Sequence, residues 1–156
     1  MSLWHYIYIS NPGTLSLYAL LAFLVWGVLC WFLGHHKYFR YACIMPVLIS
    51  VYGILLLTVL GRSASSQHIF VFAASYTREF YRELFMNALL YFPLGIFLSV
   101  LIGPWTILCG FALSIYIELW QFIAGTGVGQ VTDILMNTFG CFLGTLPYLL
   151  IRKLKK

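Results

Sequence analysis

The sequence has few charged residues. Only 8% of its 156 residues are Asp, Glu, Lys or Arg, and only four of these are acidic. A soluble domain has about 25% charged and about 45–50% apolar residues, whereas this chain is 62% apolar. One domain of this size cannot bury so much apolar surface, so the excess must face lipid. The composition therefore excludes a soluble enzyme, an intrinsically disordered chain and a secreted disulfide scaffold.

Several motifs that carry chemistry are also missing. The sequence contains no CxxC, no glycine-rich phosphate loop, no G-x-S-x-G, no H-E-x-x-H and no lipidation signal. The four cysteines lie in or beside apolar runs and are interpreted as small core residues: Cys30, Cys43, Cys109 and Cys141. We expect no cofactor and no metal site. Nucleic acid is not an expected partner, because no basic cluster alternates with polar, groove-reading side chains.

Five apolar runs are each long enough to cross about 30 Å of hydrocarbon as a helix. They are Leu15–Leu33, Tyr41–Leu60, Leu84–Ile102, Pro104–Ile123 and Ile134–Ile151. The pattern predicts an all-α, polytopic integral membrane bundle of about five transmembrane helices. Only the Gly103-Pro104 turn separates the third run from the fourth, so these two should form a tight helical hairpin.

The basic residues are divided unequally between the two sides of this predicted bundle. One side carries six, namely Lys37, Arg40, Arg152, Lys153, Lys155 and Lys156. The other carries three, namely Arg62, Arg78 and Arg82. By the positive-inside rule the first side is cytoplasmic, which places the N-terminus outside and the C-terminus in the cytoplasm. All four acids then fall in the outer half: Glu79, Glu83, Glu118 and Asp133.

The fourth run carries an acid within a predicted span. Such a group costs about 2.5–3.5 kcal/mol at mid-helix on insertion scales, so it is by default a functional hypothesis. Ser114, Glu118 and Gln121 stand at i, i+4 and i+7, on one helix face that should point into the bundle or a wet cavity. The alternative is structural: a protonated Glu118 hydrogen-bonded to a neighbouring helix, which Gln would replace without loss.

On one helix face of the fifth run, two polar residues are followed by two glycines. Asp133, Asn137, Gly140 and Gly144 stand at i, i+4, i+7 and i+11. The G-x-x-x-G spacing lets another helix approach closely, while Asp133 complements the dipole at the helix N-terminus. For Asp133 and Asn137, capping and interhelical hydrogen bonding are the alternative to ligand binding.

The third run begins with a comparable set. Asn87 and Tyr91 share a face, and Pro93 and Gly95 follow. A proline inside a helix frees a backbone carbonyl and bends the helix, so we interpret Pro93 and Gly95 as packing residues.

Two outer loops complete the predicted site. In the loop Gly61–Glu83, Arg62 lies just after the second run. Arg78 and Arg82 stand four residues apart, and for them pairing with the neighbouring glutamates is the alternative to ligand binding. The run Ile69–Ala74 is too short to cross and should lie at the interface, and Gly125–Gly129 should be a flexible loop. We predict an outward-facing polar pocket at headgroup depth. Its residues are Arg62, Arg78, Arg82, Asn87, Glu118, Gln121, Asp133 and Asn137.

Three segments together resemble a known family. Asn87–Gly95 resembles the N-x-x-x-F/Y-x-P-x-G signature of VanZ-like membrane proteins, and Ile117–Gln121 resembles that family's E-x-x-Q element. Asp133–Gly140, followed by Gly144, resembles its D-x-x-x-N-T-x-G-x-x-x-G element. The likeness covers about residues 52–151, which we take as a VanZ-like membrane domain. Residues 1–51 hold an interfacial segment, the first span and the start of the second, and 152–156 form a basic tail.

The resemblance implies a multi-pass protein of the bacterial plasma membrane, linked to low-level resistance to glycopeptide antibiotics, teicoplanin in particular. Three readings stay open. The preferred one is non-enzymatic: the pocket binds an amphiphile among membrane lipids, either a lipoglycopeptide or a lipid-linked envelope precursor. A second is an enzyme on a lipid phosphate or acyl ester, with Arg62 holding the anion and Glu118 or Asp133 as general base. A third is an assembly subunit that associates through Gly140 and Gly144.

A cysteine introduced beside Lys155 tests the predicted orientation. Because the tail should be cytoplasmic, a membrane-impermeant thiol reagent should leave this cysteine unlabelled in intact cells and label it after lysis. The parent chain, with its own four cysteines, gives the background signal. Ready labelling in intact cells would reverse the orientation.

Overall fold

A computed structural model describes residues 39–60, 68–72 and 77–154. The chain divides into two compact units, Met1–Ala42 and Cys43–Lys156. The described part of the first unit is the short helix α1 (Phe39–Ala42). The predicted first span and the N-terminal interfacial segment therefore lie outside the described residues.

The second unit consists of long helices and one small pair of strands. The helices are α2 (Ile44–Leu55), which continues as a π-helical segment (Leu56–Leu60), α3 (Arg78–Ile102), α4 (Trp105–Ala124) and α5 (Val131–Leu154). The strands β1 (Phe70–Val71) and β2 (Gly129–Gln130) pair in parallel. Phe70 stands opposite Gly129, and Val71 stands opposite Gln130.

Some of the described helices have the lengths and compositions of membrane helices. Three helical stretches within the described residues are long and apolar enough to cross a membrane, namely Arg40–Leu60, Arg78–Ile102 and Trp105–Ala124. The 24 residues of α5 would extend about 36 Å at 1.5 Å per residue. Large apolar side chains point outward on these helices, among them Leu48, Phe85, Leu108 and Leu150. The mostly helical, membrane-type fold is thus confirmed, while the count of five and the orientation stay predictions.

Helix α3 begins six residues before the predicted span, at Arg78 rather than Leu84. Thr77 has an extended backbone, and its hydroxyl accepts a hydrogen bond of 3.3 Å from the Phe80 N–H. This N-cap satisfies one of the free donors of the first turn. The charged segment before the apolar run is therefore helical, and the helix continues without interruption through Pro93.

The predicted turn between the third and fourth apolar runs is present. Gly103 has φ +66°, in the left-handed region that favours glycine, and its N–H donates to the Ser99 carbonyl at 2.8 Å. The Thr106 N–H donates back to the Gly103 carbonyl at 3.2 Å and starts α4. Since only this short turn joins α3 and α4, the two helices run in opposite directions.

Helices α3 and α5 form the closest helix pair of the second unit. Gly140 lies against the backbone of Ala88, and Gly144 lies against the backbone of Phe92, so both contacts advance by four residues and the helices run parallel. A Cβ on Gly95 would lie only 3.0 Å from the Gly144 Cα. Glycines on both sides of the contact let the two backbones touch.

The alternating directions give the bundle two unlike ends. We call the end at which α3 and α5 begin, and α2 and α4 finish, the polar end. Glu79, Glu83 and Asp133 lie in the first turns of α3 and α5, and Glu118 lies toward the end of α4. The four acids therefore share this end, as the sequence predicts. At the other end, the Gly103 turn lies beside Tyr148 of α5.

A matched pair of glycine variants tests the α3–α5 contact. Gly140→Ala should lower the free energy of unfolding by about 1–3 kcal/mol, because the new methyl group would overlap the Ala88 backbone. Gly53→Ala is the control, since a Cβ there has no neighbour within 4 Å; this variant should unfold at the parent temperature or higher, because Ala is the better helix former. Thermal unfolding of the purified protein in detergent measures both. Equal melting temperatures would mean that the helices are not in backbone contact.

Candidate functional site

The polar face of α4 points into the bundle. Ser114, Glu118 and Gln121 are all buried, while their neighbours Tyr116 and Leu119 are exposed. Hydrocarbon offers no hydrogen-bond partners, so polar side chains of a membrane helix turn toward other helices. The i, i+4, i+7 spacing in the sequence therefore marks the inner face of α4.

Gln121 joins α4 to the end of α2. Its Nε2 donates a hydrogen bond of 3.0 Å to the Thr58 carbonyl. Thr58 is buried in the π-helical segment, and its own hydroxyl donates to the Ile54 carbonyl at 2.7 Å. A π-helical turn departs from the regular i to i+4 bonding pattern, which leaves a backbone carbonyl open to a side-chain donor.

Glu118 joins α4 to the start of α5. Its side chain is 3% exposed, and its Oε2 accepts a hydrogen bond of 2.9 Å from the Gln130 N–H. Gln130 comes directly before α5, so the carboxylate lies beside the N-terminus of that helix. The helix dipole favours a negative charge at this position. The buried acid therefore has both a hydrogen-bond donor and a favourable field.

The connection between α4 and α5 is ordered by β1. The Gly129 N–H donates to the Ile69 carbonyl at 3.0 Å, and the Thr132 N–H donates to the Phe72 carbonyl at 3.1 Å. Gly125 ends α4 in the left-handed region, with φ +61°. The connection that the sequence predicts as a flexible loop is thus a helix cap, a short turn and a strand, whose backbone donors find acceptors in the segment before α3. Its flexibility stays a prediction.

Aromatic side chains pack on the same connection. The Phe70 ring covers Gly129, where a Cβ would lie 2.8 Å from the Phe70 Cε2. The Phe122 ring stands edge-to-face against Phe70 and His68, with centroids 6.2 and 6.4 Å apart. His68 Nδ1 lies 2.8 Å from the Phe122 carbonyl, which assigns the proton to Nδ1 as the donor. The sequence gives no signal for His68, because its partners lie more than fifty residues away.

Asn137 lies deeper in the bundle than Glu118 does. Its Nδ2 donates a hydrogen bond of 2.9 Å to the Ser114 Oγ, and both side chains are buried. This is the interhelical hydrogen bond that the sequence offered as the alternative reading of Asn137. Tyr91 of α3 is fully buried in the apolar core nearby, with Ile54 and Ile117. Its place in this cluster is suggested in the sequence only by its i+4 spacing from Asn87.

The remaining predicted residues are distributed along α3 and α5. Arg78 is exposed and Arg82 is half-buried in the first turns of α3, and Asp133 is half-buried in the first turn of α5. The parallel register of the two helices puts Arg82 at about the height of Asp133, at the polar end. Asn87 is half-buried and precedes Ala88, so it lies lower, at the height of Gly140.

Arg62 lies outside the described residues, so its place in the predicted pocket stays a prediction. The face that carries Gly140 and Gly144 packs on α3 of the same chain, together with Gly95. Pro93 is half-buried in α3. The glycine spacing is therefore used within the chain.

Sequence comparison confirms the resemblance to VanZ-like proteins. The model of the VanZ/LLP1 family matches residues 19–152. The chain belongs to the VanZ/LLP1 family. It is 36% identical over 77 residues to Protein VanZ of Enterococcus faecium, an alignment that covers 47% of this chain and 48% of that protein. The chain thus matches about half the length of this curated VanZ/LLP1 relative. No solved structure matches.

Two substitutions at Glu118 separate its hydrogen bond from its charge. Glu118→Gln keeps an acceptor for the Gln130 N–H and should unfold close to the parent temperature. Glu118→Leu removes this acceptor from the buried donor and should cost about 1–3 kcal/mol. Amide hydrogen exchange at Gln130 should accelerate only in the Leu variant. If the Gln and Leu variants are equally stable and equally protected from exchange at Gln130, the hydrogen bond between Gln130 and Glu118 does not stabilise the connection between α4 and α5.

Proposed function

We propose that this VanZ/LLP1 protein is a multi-pass protein of the bacterial plasma membrane that binds an amphiphile at its polar end. The ligand is a lipoglycopeptide or a lipid-linked envelope precursor, and binding it gives low-level resistance to glycopeptides such as teicoplanin. The protein acts without catalysis. In this topology five spans cross the membrane, the N-terminus is outside, and the polar end faces the outer surface.

The observation that carries the proposal is the buried carboxylate of Glu118 at the polar end. An acid in a membrane helix is costly, and such residues usually serve a ligand, ion or proton pathway. Arg82 and Asp133 lie at the same end, on the first turns of the two helices that pack in parallel. Charges of both signs thus come together beside outward apolar surfaces.

This arrangement suits a ligand with a polar head and an apolar chain. The acyl chain would lie in the bilayer against the apolar outer faces of the helices, and the head would lie among the charged side chains. Arginine binds carboxylate and phosphate groups through two parallel N–H donors. Arg62, Arg78 and Arg82 would therefore hold an anionic head, and Glu118 and Asp133 would hold cationic groups.

The helix packing favours binding over assembly. The glycine face of α5 was the surface expected for a partner subunit, and it is occupied by α3. A binding role does not need that face to be free.

Resistance measurements with two variants test the proposal. Arg62→Ala should accumulate in the membrane at near-normal levels, because water at the outer boundary compensates the loss of a lone charge. Glu118→Gln should accumulate as well, because the amide keeps an acceptor for the Gln130 N–H. Each should nevertheless lose the protection that the parent gives a susceptible host against teicoplanin, measured as the minimal inhibitory concentration. Lys153→Ala, at the opposite end of the bundle, is the control and should protect like the parent.

Two outcomes of this experiment would oppose the binding role. If both variants accumulate and protect as well as the parent does, these residues are structural. If the purified parent, in nanodiscs, retains neither teicoplanin nor a lipid-linked precursor while its expression still protects the host, the protein acts through assembly.

A further inference from the structure

Among the described residues, two polar groups at the buried centre of the bundle lack hydrogen-bond partners. The Tyr91 side chain is 0% exposed, and its hydroxyl has no hydrogen-bond partner among the described residues. The Asn137 side chain is 3% exposed, and within the same part of the chain its Oδ1 has none either. A buried polar atom without a partner costs about 1–3 kcal/mol, and more in hydrocarbon than in a soluble core. Two such atoms in one region need a common explanation.

Ser114 connects the two groups. Its Oγ accepts the hydrogen bond from the Asn137 Nδ2 at 2.9 Å. The Tyr91 hydroxyl also lies close to the Ser114 side chain, without the geometry of a hydrogen bond. Side chains from α3, α4 and α5 therefore meet at the Ser114 side chain. If the Asn137 amide were turned over, its nitrogen rather than its oxygen would lack a partner, so one end of the amide is unsatisfied in either orientation.

We propose that Tyr91, Ser114 and Asn137 form a binding site for one internal water molecule. The Tyr91 hydroxyl donates to the water, and the water donates to the Asn137 Oδ1. Buried waters in proteins usually make about three hydrogen bonds to groups that are otherwise unsatisfied. The third position is open to the Ser114 hydroxyl. The water thus closes a polar network that ties three helices together at the centre of the membrane domain.

The chemistry of the three side chains selects water over other ligands. All three are neutral, so the site offers no charge to a metal ion or an anion. All three are buried, so a larger ligand would have to separate the helices to reach them. Glu118 stands four residues after Ser114 on the same face of α4, about 6 Å along the helix. The water would therefore lie one turn below the buried carboxylate, and the inference does not depend on the proposed function.

The sign of a stability change tests the water site. Tyr91→Phe removes only the hydroxyl. If that hydroxyl binds a water, the full-length variant in nanodiscs should melt several degrees below the parent. If the hydroxyl is unpaired, its removal should leave the melting temperature unchanged or raise it, because an unsatisfied buried group is lost. Tyr116→Phe, on the exposed face of α4, is the matched control and should melt with the parent.

Radiolytic labelling supplies a second, direct measurement on the parent protein. Hydroxyl radicals generated from bound water oxidise adjacent side chains even where bulk solvent cannot reach them. Tyr91 should therefore be oxidised in a millisecond X-ray pulse, whereas Leu94, which is buried on the same helix, should not. A lower melting temperature without labelling of Tyr91 would mean a direct bond to Ser114, and it would overturn the proposal. So would an unchanged or higher melting temperature for Tyr91→Phe.

Discussion

The backbone contact between α3 and α5 is the constraint on which the rest of the membrane domain depends. Helices in lipid gain little from burying apolar side chains, because lipid tails are as apolar as leucine. Close van der Waals contact and interhelical hydrogen bonds must hold them instead. Gly95, Gly140 and Gly144 provide that contact by removing the side chains that would keep the backbones apart. Once α3 and α5 are in contact, the two-residue turn after α3 requires α4 to pack beside them.

The position of α4 then determines the hydrogen bonds of the polar end. Its inner face meets α5 through Ser114 and Asn137, and it meets the start of α5 through Glu118 and Gln130. Since lipid cannot satisfy a free N–H, the chain between α4 and α5 pairs its donors with acceptors in the segment before α3. The β1–β2 pair therefore forms because backbone N–H and C=O groups next to an apolar phase must find hydrogen-bond partners within the protein. It also fixes the distance between the ends of α4 and α5, where the carboxylate lies.

The helices and the inner face of α4 could be predicted from the sequence, because both depend on local periodicity. Long apolar runs give the helices, and the spacing of Ser114, Glu118 and Gln121 gives a shared face. The early start of α3 depends on one hydrogen bond, from the Phe80 N–H to the Thr77 hydroxyl, and hydropathy does not report it. The β-pair could not be predicted, since two residues have no period and Phe70 meets Gly129 far along the chain. The contact between His68 and Phe122 was missed for the same reason.

The distribution of apolar and polar surface limits which ligands can reach the charged residues. The outward faces of the helices are apolar, and the buried polar groups of α4 lie behind them. A water-soluble ion approaching through the bilayer would lose its hydration at these faces, while a purely apolar molecule would gain nothing from Glu118 or Asp133. In the proposed topology an amphiphile would avoid both costs, because its chain would stay in hydrocarbon while its head reached the polar end from the headgroup layer. The same physical constraint that turns polar side chains inward therefore also favours a lipid-like ligand.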